Sequence, residues 1–376
     1  MESFVLKPLK SENIEKELQN IGFDEGYRFA ASDKFRYKNI KIYNLTSAQA
    51  NILKQTALTC GADCATNRDV ITGRAEHSDV ILGGSEAELK KICEKLAKQP
   101  FKLGELGKDI SNSLNRQKRK TKLVGILNVT PDSFSDGGLY TNPEDAQKHL
   151  IKMIDEGADM IDIGAESTRP YSEAVSPDEQ IKRLKPILDF IQKETIKVPI
   201  SIDTRSSEVA DFVLNNGANF INDVSGLDYD KNMIGVLSKY SAGVIIQHSK
   251  GTPDVMQNSP IYNNVVEEIY LSLMNKIKLA HNAGIKDVVA DPGIGFGKTK
   301  EDNFEIIERA EEFFSLNVPV MFGISRKSLL GVQNNNNDLK DSLSAMISYP
   351  LAKAGVDYLR VHNISLHKKM LDLIEN

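Results

Sequence analysis

The chain has 376 residues, which is enough for one large domain with a small one, or for two domains of middling size. Its composition, with 40% hydrophobic and 26% charged residues, is typical of a globular protein. The net charge of −5 gives no general attraction to nucleic acid or to acidic lipid, so any anion site must come from locally placed Arg, Lys and backbone N–H groups.

Cysteine usage and the first residues of the chain predict a cytoplasmic protein. The three cysteines, Cys60, Cys64 and Cys93, form an odd and sparse set, which favours reduced thiols. The chain does not open with a basic segment followed by an apolar run, and no apolar stretch approaches the roughly 20 residues of a membrane span. We therefore expect neither a membrane nor a nucleic-acid partner.

Residues 1–112 are typical of a small α+β domain. Segments with helical periodicity alternate with strand-like segments, in the order helix Ser11–Gly22, strand Lys38–Tyr43, helix Thr46–Thr59, strand Asp79–Leu82 and helix Glu86–Lys98. No set of catalytic side chains stands out among them. The role of this accessory domain is open: a packing or oligomerisation module is the simpler interpretation, and regulation or substrate gating is the alternative.

A short basic segment, residues 113–120, is predicted to link this domain to the rest of the chain. Its core is Asn115-Arg-Gln-Lys-Arg-Lys120, a pattern that also occurs in nucleic-acid-binding signals. Because the run is short and the whole chain is acidic, a solvated linker is the favoured interpretation.

Between residues 121 and 376, strand-like and helical patterns alternate regularly. The strand-like runs are Leu123–Val129, Met160–Ala165, Pro199–Ile202, Phe220–Ile221, Gly243–Ile246, Val288–Ala290, Val318–Ile324 and Tyr358–Val361, and an amphipathic run follows each of them. Strict alternation implies parallel strands, and eight such units in a segment of this length predict a (β/α)8 TIM barrel of the α/β class. A doubly wound open sheet is the alternative, and the count of eight favours the barrel.

Polar residues stand at or just beyond the end of every predicted strand. They are Asn128, Asp162, Asp203-Thr-Arg205, Asn222, Gln247-His-Ser249, Asp291, Ser325-Arg-Lys327 and Arg360-Val-His362. In a closed parallel barrel these ends meet on one rim, where the active sites of such barrels lie. Buried Asp and Asn side chains suit a heterocycle with several donors and acceptors, whereas Arg360 and His362 suit a diphosphate. Asn128 offers an oxygen to a Mg²⁺ ion that keeps most of its water.

Seven motifs in this part of the chain, taken in order, resemble those of the dihydropteroate synthase family: GILNVTPDSFSDGG, GAESTRP, SIDTR, INDVSG, DPGIGFGK, SRKS and RVH. The resemblance covers residues 121–376. It implies a homodimeric, Mg²⁺-dependent transferase that joins 4-aminobenzoate to a dihydropterin carrying a hydroxymethyl diphosphate. The implied products are dihydropteroate and diphosphate, formed by an SN1-like route.

The resemblance also implies roles for individual residues. The implied pterin-binding set is Asp203, Asn222, Asp291 and Lys327; the diphosphate set is Asn128, Arg169, Arg360 and His362, with Asn128 as metal ligand; the 4-aminobenzoate set is Thr168, Phe296 and Ser325. The implied catalytic residues are Asp203, Lys327 and Arg360, of which Arg360 is expected to be an exposed charge on the rim. Two loops, Thr130–Gly138 and Ser167–Ser172, are expected to order over the diphosphate.

Three positions depart from the family pattern. Gln247 and Ser249 flank His248 where the family usually has Met, and Asn363 stands where Asp is usual. Two alternative functions are a methyltetrahydrofolate:corrinoid methyltransferase, which shares several pterin-contacting residues, and a pterin-binding module without catalysis, which the polar Gln247 suggests. The SRKS and RVH motifs favour the synthase.

Overall fold

The computed structural model describes residues 4–115, 118–130, 143–166, 175–251, 260–332 and 336–375. The chain divides into two compact units, Met1–Gln117 and Lys118–Asn376. Each unit has its own hydrophobic core. Among the described residues, no helix combines the length and the apolar character that crossing a bilayer requires.

The first unit contains a three-stranded antiparallel sheet with the strand order β1-β3-β2. Its strands are β1 (Tyr37–Thr46), β2 (Asp63–Thr66) and β3 (His77–Ser85), and its helices are α1 (Ile14–Asn20), α2 (Arg28–Ser32), α3 (Ser47–Leu58), α4 (Glu86–Leu96) and α5 (Leu103–Leu114). Capping boxes begin α3 and α4, because Thr46 and Ser85 each exchange hydrogen bonds with the residue three positions later.

Three elements of this unit, α2, β2 and α5, were not predicted from the sequence. Strand β2 has only four residues, and α5 contains two glycines, which lower its helix propensity. Packing explains one of these glycines, since a Cβ at Gly107 would lie 3.1 Å from the carbonyl oxygen of Cys93 in α4. Residues 113 and 114 of the predicted linker belong to α5.

The second unit is a (β/α)8 barrel, as predicted. Its strands are β4 (Lys122–Asn128), β5 (Met160–Gly164), β6 (Ile200–Asp203), β7 (Phe220–Asp223), β8 (Gly243–Gln247), β9 (Val288–Asp291), β10 (Met321–Phe322) and β11 (Tyr358–Val361). Its helices are α6 (Pro143–Asp155), α7 (Pro177–Lys193), α8 (Ser207–Asn215), α9 (Met233–Tyr240), α10 (Val265–Asn282), α11 (Lys300–Glu308), α12 (Asn337–Ala354) and α13 (Ile364–Glu375). The strands pair in parallel in the order β10-β11-β4-β5-β6-β7-β8-β9, and a parallel bridge between Ala290 and Val320 completes the circle.

The seventh strand is shorter than the predicted Val318–Ile324. Only Met321 and Phe322 form a ladder, and the preceding Pro319 has no N–H to donate. The N–H of Val320 is bound by the side chain of Asp357 at 2.9 Å instead of by a neighbouring strand. The predicted helix Lys300–Leu316 is also divided, because α11 ends at Glu308 and a 3-10 helix spans Ala310–Leu316.

The interior of the barrel is built in layers along the strands. One layer is apolar and consists of Val124, Met160, Phe220, Ile245, Val289, Met321 and Tyr358. Side chains two positions further along a strand point to the same side. On five of these seven strands that next residue is polar, namely Asp162, Asn222, Gln247, Asp291 and Arg360. The period of the strands therefore places a polar layer on an apolar floor, at the carboxyl end of the barrel.

Two glycines of the barrel offer a matched test of packing. A Cβ at Gly243, the first residue of β8, would lie 2.2 Å from the ring of Phe220, whereas nothing lies within 4 Å of a Cβ at the exposed Gly235 in α9. We expect Gly243→Ala to lower the free energy of unfolding by about 1–3 kcal/mol through overpacking. Gly235→Ala should raise it by about 0.5–1 kcal/mol through helix propensity. Urea unfolding measures both, and equal effects of the two substitutions would contradict the packing described for β8.

Candidate active site

A buried cation at the carboxyl end of the barrel joins three strands. The Arg360 guanidinium of β11 donates from Nε to Asp162 Oδ2 at 2.6 Å and from Nη2 to Asp203 Oδ2 at 3.0 Å. The Asn222 amide also donates to Asp162 Oδ2, at 2.9 Å. The expectation that Arg360 is an exposed rim charge is therefore wrong: its side chain is 17% exposed and serves two buried carboxylates.

Burial and charge shift the titration of this cluster. Desolvation raises the pKa of Asp203 to about 7, against the opposing effect of Arg360. Burial alone would lower the pKa of Arg360, but the carboxylates of Asp162 and Asp203 outweigh burial and raise it. The guanidinium therefore stays charged, and Asp203 is the member of the cluster that titrates near neutrality.

The polar layer contains buried atoms that have no protein partner within the described residues. Three of them are acceptor oxygens, Asp162 Oδ1, Asp203 Oδ1 and Asn222 Oδ1, and one is a donor, Gln247 Nε2. An unsatisfied buried polar atom costs about 1–3 kcal/mol. Their concentration in one layer indicates a binding site for a ligand that offers several N–H donors and at least one acceptor.

Lys327 and Asp291 form the opposite side of the layer. Burial lowers the pKa of Lys327 to about 8, and the Asp291 carboxylate opposes that shift. Burial also raises the pKa of Asp291, whose Oδ1 accepts a hydrogen bond from Gly293 N at 2.7 Å. The Lys327 ammonium donates to the carbonyl oxygen of Ile294 and lies 4.5 Å from the ring centroid of Phe296. The predicted site residues Asp291, Phe296 and Lys327 are therefore neighbours.

Lys298, the last residue of the DPGIGFGK motif, has no role assigned from the sequence, and it holds the loop that carries Phe296. Its buried ammonium donates to the carbonyl oxygens of Gly293 at 2.8 Å, Phe296 at 2.9 Å and His248 at 3.2 Å. Burial lowers its pKa to about 7. The loop also requires glycine at Gly293, where φ is +71° and a Cβ would lie 1.9 Å from the His248 carbonyl oxygen. The end of β8 and the loop after β9 are thus held as one unit.

A second clamp fixes the loop that carries Lys327. Ser325 Oγ contacts His362 Nδ1 at 2.9 Å and accepts from its backbone N–H at 3.2 Å. Arg326 binds both carboxylate oxygens of Asp341 in α12, at 2.7 and 2.9 Å. Asn363 donates to the same carboxylate at 3.2 Å and accepts from the N–H of Leu366 at the start of α13. The Asn363 side chain therefore uses both its N–H donor, toward Asp341, and its oxygen acceptor, toward Leu366 N. A carboxylate, which is usual in the family at this position, could only accept.

Asn128 lies at the end of β4, half-buried and level with Gly164 and Asp203 in the strand register. Thr168 and Arg169 lie outside the described residues, as do residues 131–138 and 167–172 of the two predicted loops. Glu166, to which the sequence assigned no individual role, accepts from Val175 N at 3.2 Å and from Arg205 Nη2 at 3.1 Å. It thereby joins the two ends that flank residues 167–174.

The barrel matches a known class of proteins. Residues 124–362 match the family model described as pterin binding enzyme. This match spans the barrel from β4 to the residue after β11, and it includes every member of the polar layer. Fold and site together define an enzyme of the pterin-binding barrel class.

Curated relatives narrow the class. The chain is 41% identical over 262 residues to a dihydropteroate synthase of Clostridium beijerinckii, covering 68% of this chain and 94% of that protein. It is 31% identical over 380 residues to a bifunctional dihydropteroate synthase/dihydropteroate reductase of Helicobacter pylori, covering 99% and 97%. A probable bifunctional folylpolyglutamate synthase/dihydropteroate synthase of Halobacterium salinarum is 38% identical over 333 residues, which cover 84% of this chain but only 40% of that protein. The chain belongs to the dihydropteroate synthase family.

Solved structures agree with this assignment. A dihydropteroate synthase of Yersinia pestis in a sulfonamide drug complex is 32% identical, with a TM-score of 0.66, and the match covers 69% of this chain and 95% of that one. A dihydropteroate synthase of Xanthomonas albilineans with 4-aminobenzoic acid is 33% identical, with a TM-score of 0.62, and covers 68% and 92%.

Proposed function

We propose that the barrel is a dihydropteroate synthase, a transferase that condenses (7,8-dihydropterin-6-yl)methyl diphosphate with 4-aminobenzoate to give 7,8-dihydropteroate and diphosphate. The observation that carries this proposal is the polar layer. It combines unsatisfied acceptor oxygens for the N–H groups of a pterin ring with two buried cations, Arg360 and Lys327. The family membership of the chain supports the same reaction.

The pterin ring would lie in the polar layer. Asp203 and Asn222 each have one oxygen without a partner among the described residues, and these oxygens can accept from ring N–H groups. Asp291 lies on the opposite side of the layer. Lys327 supplies a donor for ring acceptors. This arrangement uses the four residues that the sequence resemblance implies for pterin binding.

The diphosphate would bind at the carboxyl end of β11 and β4, to Arg360, His362 and Asn128, together with Arg169. A guanidinium carries five N–H donors, so Arg360 can hold Asp162 and Asp203 and still donate to a phosphate oxygen. The contact between Ser325 and His362 Nδ1 orients the imidazole ring. Phe296, Ser325 and Thr168 would then border the 4-aminobenzoate.

Mg²⁺ fits the chemistry of this end of the barrel. Within the described part of the chain, no group of three or more His, Cys, Asp or Glu side chains is placed to hold a metal ion. A Mg²⁺ ion that keeps most of its waters needs only one or two protein oxygens. Asn128 would supply one, and the missing Cβ of Gly164, which would lie 3.3 Å from Asn128 Oδ1, leaves space beside it. When bound, the ion would contribute positive charge that neutralises the diphosphate.

The reaction follows from charge placement. The bond between the exocyclic methylene carbon and the bridging oxygen breaks, and the electron pair leaves with the diphosphate, which Arg360 and His362 stabilise. The cation that remains is delocalised into the pterin ring beside the Asp203 carboxylate. The amine of 4-aminobenzoate then forms the new C–N bond and loses a proton to solvent or diphosphate. The aniline needs orientation more than activation, which Phe296 and the Ser325 clamp would provide.

The defining experiment measures diphosphate release from the dihydropterin substrate with Mg²⁺, with and without 4-aminobenzoate. We expect release that depends on the aniline and equals the dihydropteroate formed. Arg360→Lys should lower turnover by about 10²-fold, because it keeps the charge between the two carboxylates but loses the planar fork. Arg309→Ala, which removes a partly exposed arginine paired with Glu305 and Glu312, is the matched control and should retain full activity. Pterin binding without diphosphate release would instead support a noncatalytic binding module.

The shifted pKa values of Asp203 and Lys327 predict how kcat/KM for the pterin substrate depends on pH. Below pH about 7 Asp203 becomes protonated and loses the charge that stabilises the cation. Above pH about 8 Lys327 loses its proton and its charge. We expect a maximum between these values with a decline on both sides. Lys327→Arg should remove the alkaline decline and leave the acidic one, whereas an unchanged profile would contradict the role of Lys327.

The full-length match to the Helicobacter pylori protein favours a second candidate activity. That relative is also named a dihydropteroate reductase, and the similarity extends over 99% of this chain, including the first unit. We propose that this chain also reduces dihydropteroate, with a hydride delivered to C6 and a proton to N5 from a reduced nicotinamide or a reduced flavin. This activity would give the first unit a role that its sequence alone does not indicate.

The reductase proposal is tested in the same assay. Reduced nicotinamide, with and without added flavin, is supplied together with both synthase substrates, and products are separated by chromatography. We expect tetrahydropteroate to form and the reductant to be consumed in equal amount. If dihydropteroate accumulates in full proportion to diphosphate under these conditions, the reductase proposal is wrong and the synthase proposal stands.

We also propose a homodimer in the cytoplasm. The sequence resemblance supports the dimer, and the sparse cysteines support a reducing compartment.

A further inference from the structure

Gln247 is the last residue of β8 and faces the interior of the barrel. Two positions earlier, Ile245 belongs to the apolar interior layer, whereas Val244 and Ile246 pack outward against the helices. Alternation along the strand therefore directs Gln247 into the polar layer, level with Asp291 of β9 in the register. Its side chain is 4% exposed.

The amide nitrogen of Gln247 is a buried donor without a partner among the described residues. Its strand neighbour Asp291 forms no hydrogen bond with it. Asp291 Oδ1 accepts from Gly293 N, and the Asp291 backbone oxygen accepts from His248 N at 2.9 Å. Tight packing limits the rotation of the Gln247 side chain toward another partner, since even a Cβ at Gly293 would lie 3.3 Å from Gln247 Cγ. An unsatisfied amide in such a place costs about 1–3 kcal/mol, which a ligand acceptor would recover.

The other unsatisfied atoms in the layer have the opposite character. They are oxygens that can accept hydrogen bonds from ring N–H groups, namely Asp162 Oδ1, Asp203 Oδ1 and Asn222 Oδ1. Only Gln247 adds an unsatisfied donor to this set within the described residues. The second departure from the family pattern on this strand does not add one, because the Ser249 hydroxyl donates to the carbonyl oxygen of Gly251 at 3.1 Å.

We propose that Gln247 donates a hydrogen bond to an acceptor atom of the bound dihydropterin, and that it is a specificity-determining residue for this ring. The proposal rests on the synthase function proposed for the barrel. The acceptor is a ring nitrogen or the C4 carbonyl oxygen on the side that faces β8. A methionine at this position, as the family usually has, would contact the ring without reading that acceptor.

Gln247→Met tests the proposal because it should raise the stability of the ligand-free protein and lower its affinity for the pterin substrate. Removing an unsatisfied amide should raise the thermal midpoint of the ligand-free protein. The same change should weaken the binding of (7,8-dihydropterin-6-yl)methyl diphosphate, measured by calorimetry, by about tenfold, which corresponds to about 1.4 kcal/mol. KM for the pterin should rise in parallel, with kcat within about twofold. A residue that only packs the barrel would lose stability and affinity together.

Ser201→Ala is the matched control. Ser201 on β6 also carries a buried oxygen for which the described residues offer no partner. It is level with Phe220 of the apolar layer and so lies beneath the ring site. We expect this variant to gain stability with no change in pterin affinity. A loss of affinity equal to that of Gln247→Met would show that any buried polar deletion has this effect, and would overturn the proposal.

Ring analogues identify the acceptor. Replacing N5 by CH, or removing the C4 carbonyl oxygen, should abolish the difference in affinity between the wild type and Gln247→Met for one of the two analogues. Equal binding of the natural substrate by wild type and variant would refute the role of Gln247 and leave the synthase function intact. Failure of the wild type to bind the pterin at all would refute both.

Discussion

The barrel depends on one cation placed between two buried carboxylates. Arg360 reaches from β11 to Asp162 on β5 and Asp203 on β6, at 2.6 and 3.0 Å. Taking any of these charges out of water is costly, and the cost is offset only when the partners are close and their hydrogen bonds are made. Here the offset is incomplete, because each carboxylate keeps one oxygen that has no partner in the part of the protein that the structure describes. The two oxygens that are left, Asp162 Oδ1 and Asp203 Oδ1, are available to accept hydrogen bonds from a ligand in the interior of the barrel.

Two further groups of buried contacts keep this cluster in place. Lys298 binds three carbonyl oxygens and joins the loop after β9 to the end of β8. The Arg326–Asp341 ion pair, with Asn363, fixes the loops after β10 and β11 relative to each other. Neither group needs to touch a substrate. They hold Lys327, Phe296 and His362 in position, and electrostatic catalysis requires groups that are oriented before the reaction begins.

The layered interior explains how one end of the barrel becomes polar without loss of a core. Val124, Met160, Ile245, Val289 and Met321 fill the barrel below the site, and a continuous apolar shell packs the strands against the helices. The polar residues stand on that floor, where desolvation strengthens their interactions and shifts their pKa values. The proposed reaction separates a diphosphate from a delocalised cation and needs fixed charges of both signs. This end of the barrel supplies them as Asp203, Arg360 and Lys327.

Much of this was determined by the sequence itself. Alternating strand and helix patterns predicted the parallel barrel, because such patterns are local and repeat along the chain. The carboxyl ends of parallel strands lie at the same end of a closed barrel, so the polar residues at those ends were predicted to meet on one rim. The residues assigned from motifs within residues 175–251, 260–332 and 336–375 do lie at that end. The short seventh strand was overestimated, since a single proline interrupts an otherwise apolar run.

Only the tertiary structure decided which of these residues bind one another. Asp162 and Arg360 are 198 positions apart, and their pairing makes Arg360 a buried cation where an exposed one was expected. The same holds for Lys298, whose Gly-Lys context carries no sign of a carbonyl partner on His248, 50 positions away, and for Arg326 with Asp341. A sequence lists which groups are present at each strand end. Whether a given donor is satisfied by the protein, as for Asn363, or left for a ligand, as for Gln247, depends on distances of a few tenths of an ångström that only the closed barrel fixes.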